Sequence, residues 1–283
     1  MRIANYQGRI IALTEGGGID IAEATGGRIG GDVIDALERW DELAETVAAL
    51  TGPVRPIDTA GLCAPVPMPR QVFAIGLNYR DHAAETGVQQ LPTSPTVFTK
   101  FPTCTTGPEA TVELPSDRVD YEVELVAVIG RRAERVPEDR AWSYVAGLSV
   151  GQDLSERTVQ LAGPVPQFSL GKSYKGFGPT GPAIVTLDEI ADPDALEIGC
   201  SVGEEVLQSG NTKDLIFSVP ELVARLSHVC PLLPGDLIYT GTPAGVGLGR
   251  TPQRFLAPGE TLTSFVRGVG EIHTTFVTGP DFA

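Results

Sequence analysis

Three groups of residues in this chain could do chemistry. The first is a pair of glutamates, Glu122 and Glu124, inside the β-like run VDYEVELVAVIG of residues 119–130. Successive strand side chains point to opposite faces, so carboxylates two residues apart leave on the same face. Like charges that close repel, and burying them is costly without a counter-charge. On spacing alone the pair fits two readings: the polar face of an ordinary exposed strand, which is the commoner case, or part of a ligand set. Asp153, in VGQDLSER, ends another β-like run and could bring a third carboxylate. Three oxygen donors without nitrogen or sulfur suit a hard divalent cation, Mg²⁺ first, with Mn²⁺ or Ca²⁺ feasible.

The second group is His82 and Glu85 in NYRDHAAETG. Asn78 could cap a short helix here and Gly87 could end it. On such a helix the two side chains share a face. A carboxylate on one imidazole nitrogen fixes the tautomer and leaves the other as a base near neutral pH. A surface histidine beside a surface glutamate is the plainer alternative. The third group is Lys172 in QFSLGKSYKGFGPTGP, a lysine among Gly, Phe and Pro that could neutralise a carboxylate or enolate. Its neighbour Lys175 reads as solvated.

Three other matches fail. LGKS lacks the upstream glycine of a phosphate loop, because position 166 is Pro. GVGLG (245–249) is not Gly-x-Gly-x-x-Gly and reads as loop chemistry. GLSVG (147–151) fits the Gly-x-Ser-x-Gly elbow with Ser149 as nucleophile and His228 or His273 as base. That elbow needs strand–turn–helix and an upstream oxyanion loop, whereas VAGLSVGQDL alternates like a continuing strand.

The elements that would position these residues are mostly short strands. Gly and Pro separate β-like runs at 96–101, 120–130, 145–152, 183–187, 196–207 and 236–240, with a hairpin turn near Gly203-Glu204. Helical spacing predicts one helix over 32–50 and another over 218–229, capped by Ser218. Prolines 65, 67 and 69 mark an extended connector, so the chain divides into a small N-terminal α+β domain, 1–64, and a main domain, 65–283. Without regular β–α alternation, a doubly wound fold is disfavoured and a β-rich α+β class expected.

Composition narrows the partners. A formal net charge of −15 over 283 residues argues against nucleic acid. No window approaches a membrane span, no signal-peptide run opens the chain, and four scattered cysteines suit reduced thiols; a cytoplasmic protein is expected.

Seven segments in order, AIGLNYRDHAAE, PTVFTKFPT, VDYEVELVAVIG, YVAGLSVGQDLSER, QFSLGKSYKGFGPTGP, LLPGDLIYTGTPAGVG and FLAPGETL, resemble the landmarks of the fumarylacetoacetate hydrolase family. The resemblance runs from about residue 65 to near the C-terminus and favours the ligand reading of Glu122 and Glu124. It implies a mixed β-sandwich roll behind a small N-terminal domain, usually as a homodimer. It implies Glu122, Glu124 and Asp153 as metal ligands, and His82 with Glu85 as a water-activating dyad on a mobile lid. Lys172 would polarise the substrate and Gln160 would supply an amide to the oxyanion. Gly241, Thr242, Tyr79 and Arg157 would bind substrate. The implied reaction is metal-dependent C–C bond hydrolysis of an acylpyruvate or 2,4-diketo-3-deoxy acid. Oxaloacetate decarboxylation, 2-oxo-acid hydration and keto–enol isomerisation are alternatives on the same platform, and a non-catalytic metal-stapled module is a further one. Lys175, Gly178 and His273 depart from the family pattern and are expected on the outer wall of the pocket.

Overall fold

The structure, a computed structural model, describes residues 1–280 apart from 86, 88 and 89. The β-like runs pair into two large sheets. One has eleven strands, whose main path runs Gly17–Asp20, Arg9–Thr14, Arg2–Tyr6, Gly178–Val185, Val145–Gln152, Val123–Ile129, Leu237–Tyr239, Val72–Gly76, Thr96–Thr99. The other has five, in the order Glu205–Asn211, Glu197–Val202, Thr261–Val266, Gly270–Thr278, Glu109–Leu114. Most pairs are antiparallel, but Leu237–Tyr239 runs parallel to Val72–Gly76 and Gly270–Thr278 parallel to Glu109–Leu114, so both sheets are mixed. The fold is α+β and rich in strand, as the sequence leads one to expect.

Strand Val123–Ile129 is buried along its whole length. Its odd residues Val123, Leu125, Ala127 and Ile129 enter the core between the sheets, with Leu148, Ile198, Leu262 and Ile272. Its even residues Val126 and Val128 enter a second core with Ile3, Leu37, Trp40 and Tyr239. Each such Val, Leu or Ile side chain contributes about 1.5–3 kcal/mol on burial. A third layer, built from the N-terminal helices, therefore covers the outer face of the large sheet.

Residues 1–64 are joined to the rest through strand pairing, with Arg2 opposite Val185 and Ile3 opposite Ile184. The helix expected over 32–50 is two helices, Val33–Glu38 and Trp40–Ala48. Asp32 caps the first by accepting from the Asp35 N–H. Arg39 (φ −106°, ψ 40°) breaks the run, its side chain bonded to the Arg28 carbonyl and to Glu42. Trp40 then packs so close to Gly130 that a Cβ there would lie 2.8 Å from its ring.

The strand expected over 119–130 is also interrupted, into Val119–Asp120 and Val123–Ile129. At the break the Glu122 N–H donates to Gln152 Oε1 and the Val123 N–H to Gln208 Oε1, both at 2.9 Å. Side-chain amides here satisfy donors that a regular ladder would pair with backbone. The hairpin turns at Gly203 as expected, and helix Val219–Val229 carries Ser218 as its cap, accepting from the Glu221 N–H.

Candidate active site

The even-numbered face of the central strand changes character along its length. Val128 and Val126 lie under the N-terminal layer, whereas Glu124 stands at the start of the strand and Glu122 at the break just before it. A cavity of about 590 Å³ lies there, lined by His82, Glu85, Glu122, Arg157, Gln160, Lys172 and Thr242 together with apolar side chains. No helix among the described residues is long and apolar enough to cross a membrane.

Carboxylate oxygens of Glu122, Glu124 and Asp153 lie within 4.8 Å of one another, and all three residues are buried. Three cations stand against this group. Lys172 Nζ is 2.6 Å from Glu122 Oε2 and 2.7 Å from Asp153 Oδ2. Lys100 Nζ is 2.7 Å from Asp153 Oδ1. Arg157 Nη2 is 2.8 Å from Glu122 Oε1 and 2.6 Å from Asp120 Oδ2. Four carboxylates, with Asp120, thus meet three cations, and among the described residues Glu124 is the triad member without an ion pair. It accepts the Gly241 N–H at 2.7 Å.

The electrostatics follow from this count. Burial, then Asp153 and Glu122, push the Glu124 carboxyl well above the usual range. Burial also works to raise Glu122, but Lys172 and then Arg157 outweigh it and hold that carboxyl well below the usual carboxylate range. Burial disfavours charge on Lys172, yet Asp153 and Glu122 prevail and its ammonium is held above its ordinary value. A hard divalent cation fits this donor set: the ligands are all oxygens, they converge, and the surplus negative charge falls on one of them.

Helix Arg80–Glu85 brings His82 Nδ1 to 2.9 Å from Glu85 Oε2. The other oxygen of Glu85 accepts the Gly245 N–H at 3.0 Å. The helix is not capped by Asn78, whose amide instead bonds the backbone of Phe217 and Thr240. Gly87 has a left-handed φ of 77° just beyond the helix and donates to the Ala84 carbonyl, as a helix end requires.

The turn GVGLG, set aside on sequence as a loop, is part of this site. Val246, Leu248 and Gly249 line the cavity. A Cβ at Gly249 would lie 2.9 Å from Glu85 Cδ, so this position must stay bare for the carboxylate to dock. Asp120 anchors the same turn by accepting the Gly247 and Leu248 N–H groups. It also takes Arg157 Nε and Nη2. One buried carboxylate thus fixes both the turn and the arginine.

Arg157 and Gln160 sit one turn apart on helix Arg157–Gln160, which Glu156 caps by accepting from the Thr158 and Val159 N–H groups. Arg157 Nη1 donates to Gln160 Oε1 at 2.7 Å, which leaves the Gln160 amide nitrogen as its donor. Gly171 packs against the Gln160 backbone, where a Cβ would lie 2.5 Å from the amide nitrogen, and so draws the Lys172 loop onto this helix.

Two residues expected to contact substrate are not among the described residues that line the cavity. Tyr79 is fully buried in the inter-sheet core, and among the described residues its hydroxyl has no hydrogen-bond partner and it does not line the cavity. Gly241, at φ 100°, holds Glu124. Thr242 does line the cavity, with its hydroxyl bonded to the Val123 carbonyl and the Gln208 amide. Ser149 lies mid-strand, fully buried and donating to the Gly181 carbonyl, in no position for a nucleophile elbow. The outer-wall expectation also gives way. Lys175 lines a separate cavity with Thr105 and Tyr174, Gly178 packs against Cys104 Sγ, and His273 is a surface residue paired with Glu109 and Glu271.

Sequence reasoning missed Lys100, Asp120, Gln152 and Gln208. Lys100 left a signal: a lone lysine in VFTKFP, at the end of an apolar strand. The two glutamines left none, because their role depends on a strand break that periodicity does not show.

A profile of the fumarylacetoacetate (FAA) hydrolase C-terminal family matches residues 71–277. Human mitochondrial oxaloacetate tautomerase FAHD2A is 40% identical over 232 residues, covering 81% of this chain and 74% of the relative. The crystal structure of a candidate HpcE protein from Mycobacterium smegmatis is 52% identical, with a TM-score of 0.94 over 99% of this chain and 100% of that one. Maleylpyruvate hydrolase from Sphingobium sp. SYK-6, solved with manganese(II) and pyruvate, is 28% identical with a TM-score of 0.81, covering 99% and 100%.

Proposed function

The chain belongs to the fumarylacetoacetate hydrolase family of enzymes, and on that premise we propose that it hydrolyses a C–C bond in an acylpyruvate or related 2,4-diketo acid, assisted by a divalent cation. The observation that carries this reading is one cavity lined both by a His–Glu pair and by Glu122, whose carboxylate belongs to an acidic triad with the buried Glu124 and Asp153. Glu122, Glu124 and Asp153 would hold the cation, Mg²⁺ or Mn²⁺. When bound it would supply Lewis-acid polarisation of the substrate's 2-oxo oxygen.

The chain's own residues do the rest. His82, oriented by Glu85 and the Gly245 N–H, takes a proton from a water that adds to the C4 carbonyl. Lys172, Arg157 and the Gln160 amide set positive charge and a donor beside the oxyanion that forms. The C3–C4 bond then breaks, its electron pair goes to C3, and the proton held by His82 is returned there. One water is consumed, and pyruvate and a carboxylic acid result.

A second reading is proton transfer at C3 without cleavage, favoured by the tautomerase activity in the name of the human relative. One assay tests both. Chelator-sensitive loss of a dioxo acid's enol absorbance, with both cleavage products recovered, supports hydrolysis. Faster enol-to-keto conversion of oxaloacetate without cleavage of the dioxo acid replaces it with the tautomerase reading. If His82→Ala cleaves at the parent rate, the dyad leaves the mechanism.

A further inference from the structure

The cavity is not uniformly polar. Beside its charged residues stand Ile75, Leu77, Phe98, Phe168, Val246 and Leu248. Phe98 and Phe168 meet edge to face, with centroids 5.5 Å apart, and Lys172 Nζ lies 5.2 Å from the Phe98 ring. The apolar wall therefore begins directly beside the charge. Its volume, about 590 Å³, falls in the range of roughly 300–1,000 Å³ that encloses drug-sized ligands, far beyond the needs of a three-carbon oxo-acid head.

Two further observations concern what fills that space. Among the described residues, Arg157 and Lys172 are the lysines and arginines of the lining, and both are committed to carboxylates of the chain. A second carboxylate on a substrate would lie against aromatic and aliphatic carbon without a cation of its own, which is costly. Leu77 is the second: a bulky residue at φ 56°, a backbone region uncommon outside glycine, held where its side chain forms cavity wall.

We propose that the group carried beyond the 2-oxo-acid head is apolar, an unbranched alkyl or aryl substituent, and that Leu77, Phe98, Phe168 and Leu248 form its subsite. The inference rests on the 2-oxo-acid reading above and names the substrate class within it. It holds whichever bond is broken, because it concerns binding. It also separates this chain from an enzyme built for oxaloacetate, whose distal end is a carboxylate.

The test is calorimetric titration of the Mg²⁺-loaded protein with 2-oxo acids that have no 4-oxo group to attack: 2-oxobutyrate, 2-oxohexanoate, 2-oxooctanoate and 2-oxoadipate. Affinity is expected to rise about three- to fourfold per added methylene. 2-Oxohexanoate should bind at least about tenfold more tightly than 2-oxoadipate of the same length. A Cβ at Gly76 would sit 3.6 Å from the Thr96 methyl and 3.8 Å from the Phe168 ring, so a side chain fits there and narrows the subsite. Gly76→Val should lower the octanoate-to-butyrate affinity ratio about tenfold.

Equal affinities along the wild-type series, or preference for 2-oxoadipate, would overturn the proposal without any variant. Binding of no 2-oxo acid at all would overturn both this inference and the function it rests on. Graded binding with no cleavage of any dioxo acid would uphold the subsite and remove only hydrolysis.

Discussion

Two histidines of the molecule, His82 and His273, meet glutamate at nearly equal distances. His82 Nδ1 lies 2.9 Å from Glu85; His273 Nδ1 lies 2.8 Å from Glu109, with Nε2 3.0 Å from Glu271. Distance does not distinguish them, but surroundings do. His82 and Glu85 are 12% and 19% exposed and line the cavity beside the acidic triad. His273 and Glu109 are each 36% exposed, on neighbouring strands of the smaller sheet. The first glutamate is held at both oxygens, by the imidazole and by the Gly245 N–H. The second histidine has a carboxylate on each nitrogen, which leaves neither for a substrate proton. A histidine–carboxylate contact acts as a dyad when the carboxylate is fixed and the imidazole faces a cavity that can hold a reactant.

The largest expected effect removes what the buried pair works beside. Glu124→Gln keeps an oxygen for the Gly241 N–H and takes away one cation ligand and its repulsion with Asp153 and Glu122. Cation-dependent turnover should vanish, and Mg²⁺ affinity by calorimetry should fall more than about a hundredfold, beyond the loss seen for an outer-shell partner. In chelator the same variant should melt about 2–4 °C higher, since relief of about 1 kcal/mol of repulsion shifts a domain of this size by that much. A lower melting point in chelator would mean that the three carboxylates are not in conflict.

Next is the pair itself. His82→Ala should lower kcat about 10²- to 10⁴-fold with Mg²⁺ affinity retained, whereas His273→Ala should leave kcat unchanged. Equal effects of the two substitutions would erase the contrast.

How much of that contrast was legible in the sequence depends on which link carried it. The strand bearing Glu124 was readable because Val123 and the run from Leu125 to Ile129 are apolar and largely β-branched, whereas the break that leaves Glu122 just outside it was not. The spacing of His82 and Glu85 was likewise readable locally. Which histidine would face a cavity was not, because the dyad's second support comes from Gly245, 160 residues away. Asp120 escaped notice as one acidic residue beside the E-x-E pair, although it ties the turn to Arg157. Tyr79 was placed by motif on the substrate, while its backbone bridge to Leu215 puts the ring in the core. Local periodicity specifies faces; long-range hydrogen bonds decide which face becomes a site.

A gentler variant sharpens the comparison by moving the carboxylate instead of deleting it. Gly249→Ala puts a methyl 2.9–3.1 Å from the end of the Glu85 side chain, a flexible group that yields before the backbone does. Glu85 should swing away from His82, lowering kcat about ten- to a hundredfold, the cost of misplacing a catalytic group by about 1 Å. Folding and Mg²⁺ binding should survive. An unchanged kcat would show that the imidazole needs no fixed carboxylate.

The smallest effect belongs to the surface pair, and it is one of stability alone. Burial disfavours charge on His273, but hydrogen bonding to Glu109 and the charges of Glu109 and Glu271 outweigh it and raise its pKa above 6.5. A group whose folded pKa is raised binds its proton more tightly in the folded chain. Its stabilisation is therefore complete below the unfolded pKa, near 6.5, and is lost as pH climbs through the higher folded value. Against the parent, His273→Gln should melt lower by about a degree at pH 5.5, an exposed pair being worth little and screened by salt. The gap should close by pH 9 and shrink in 1 M salt. A gap that instead widened with pH would mean that the imidazole is neutral in the folded state, and that its two carboxylates hold it by hydrogen bonds without charge.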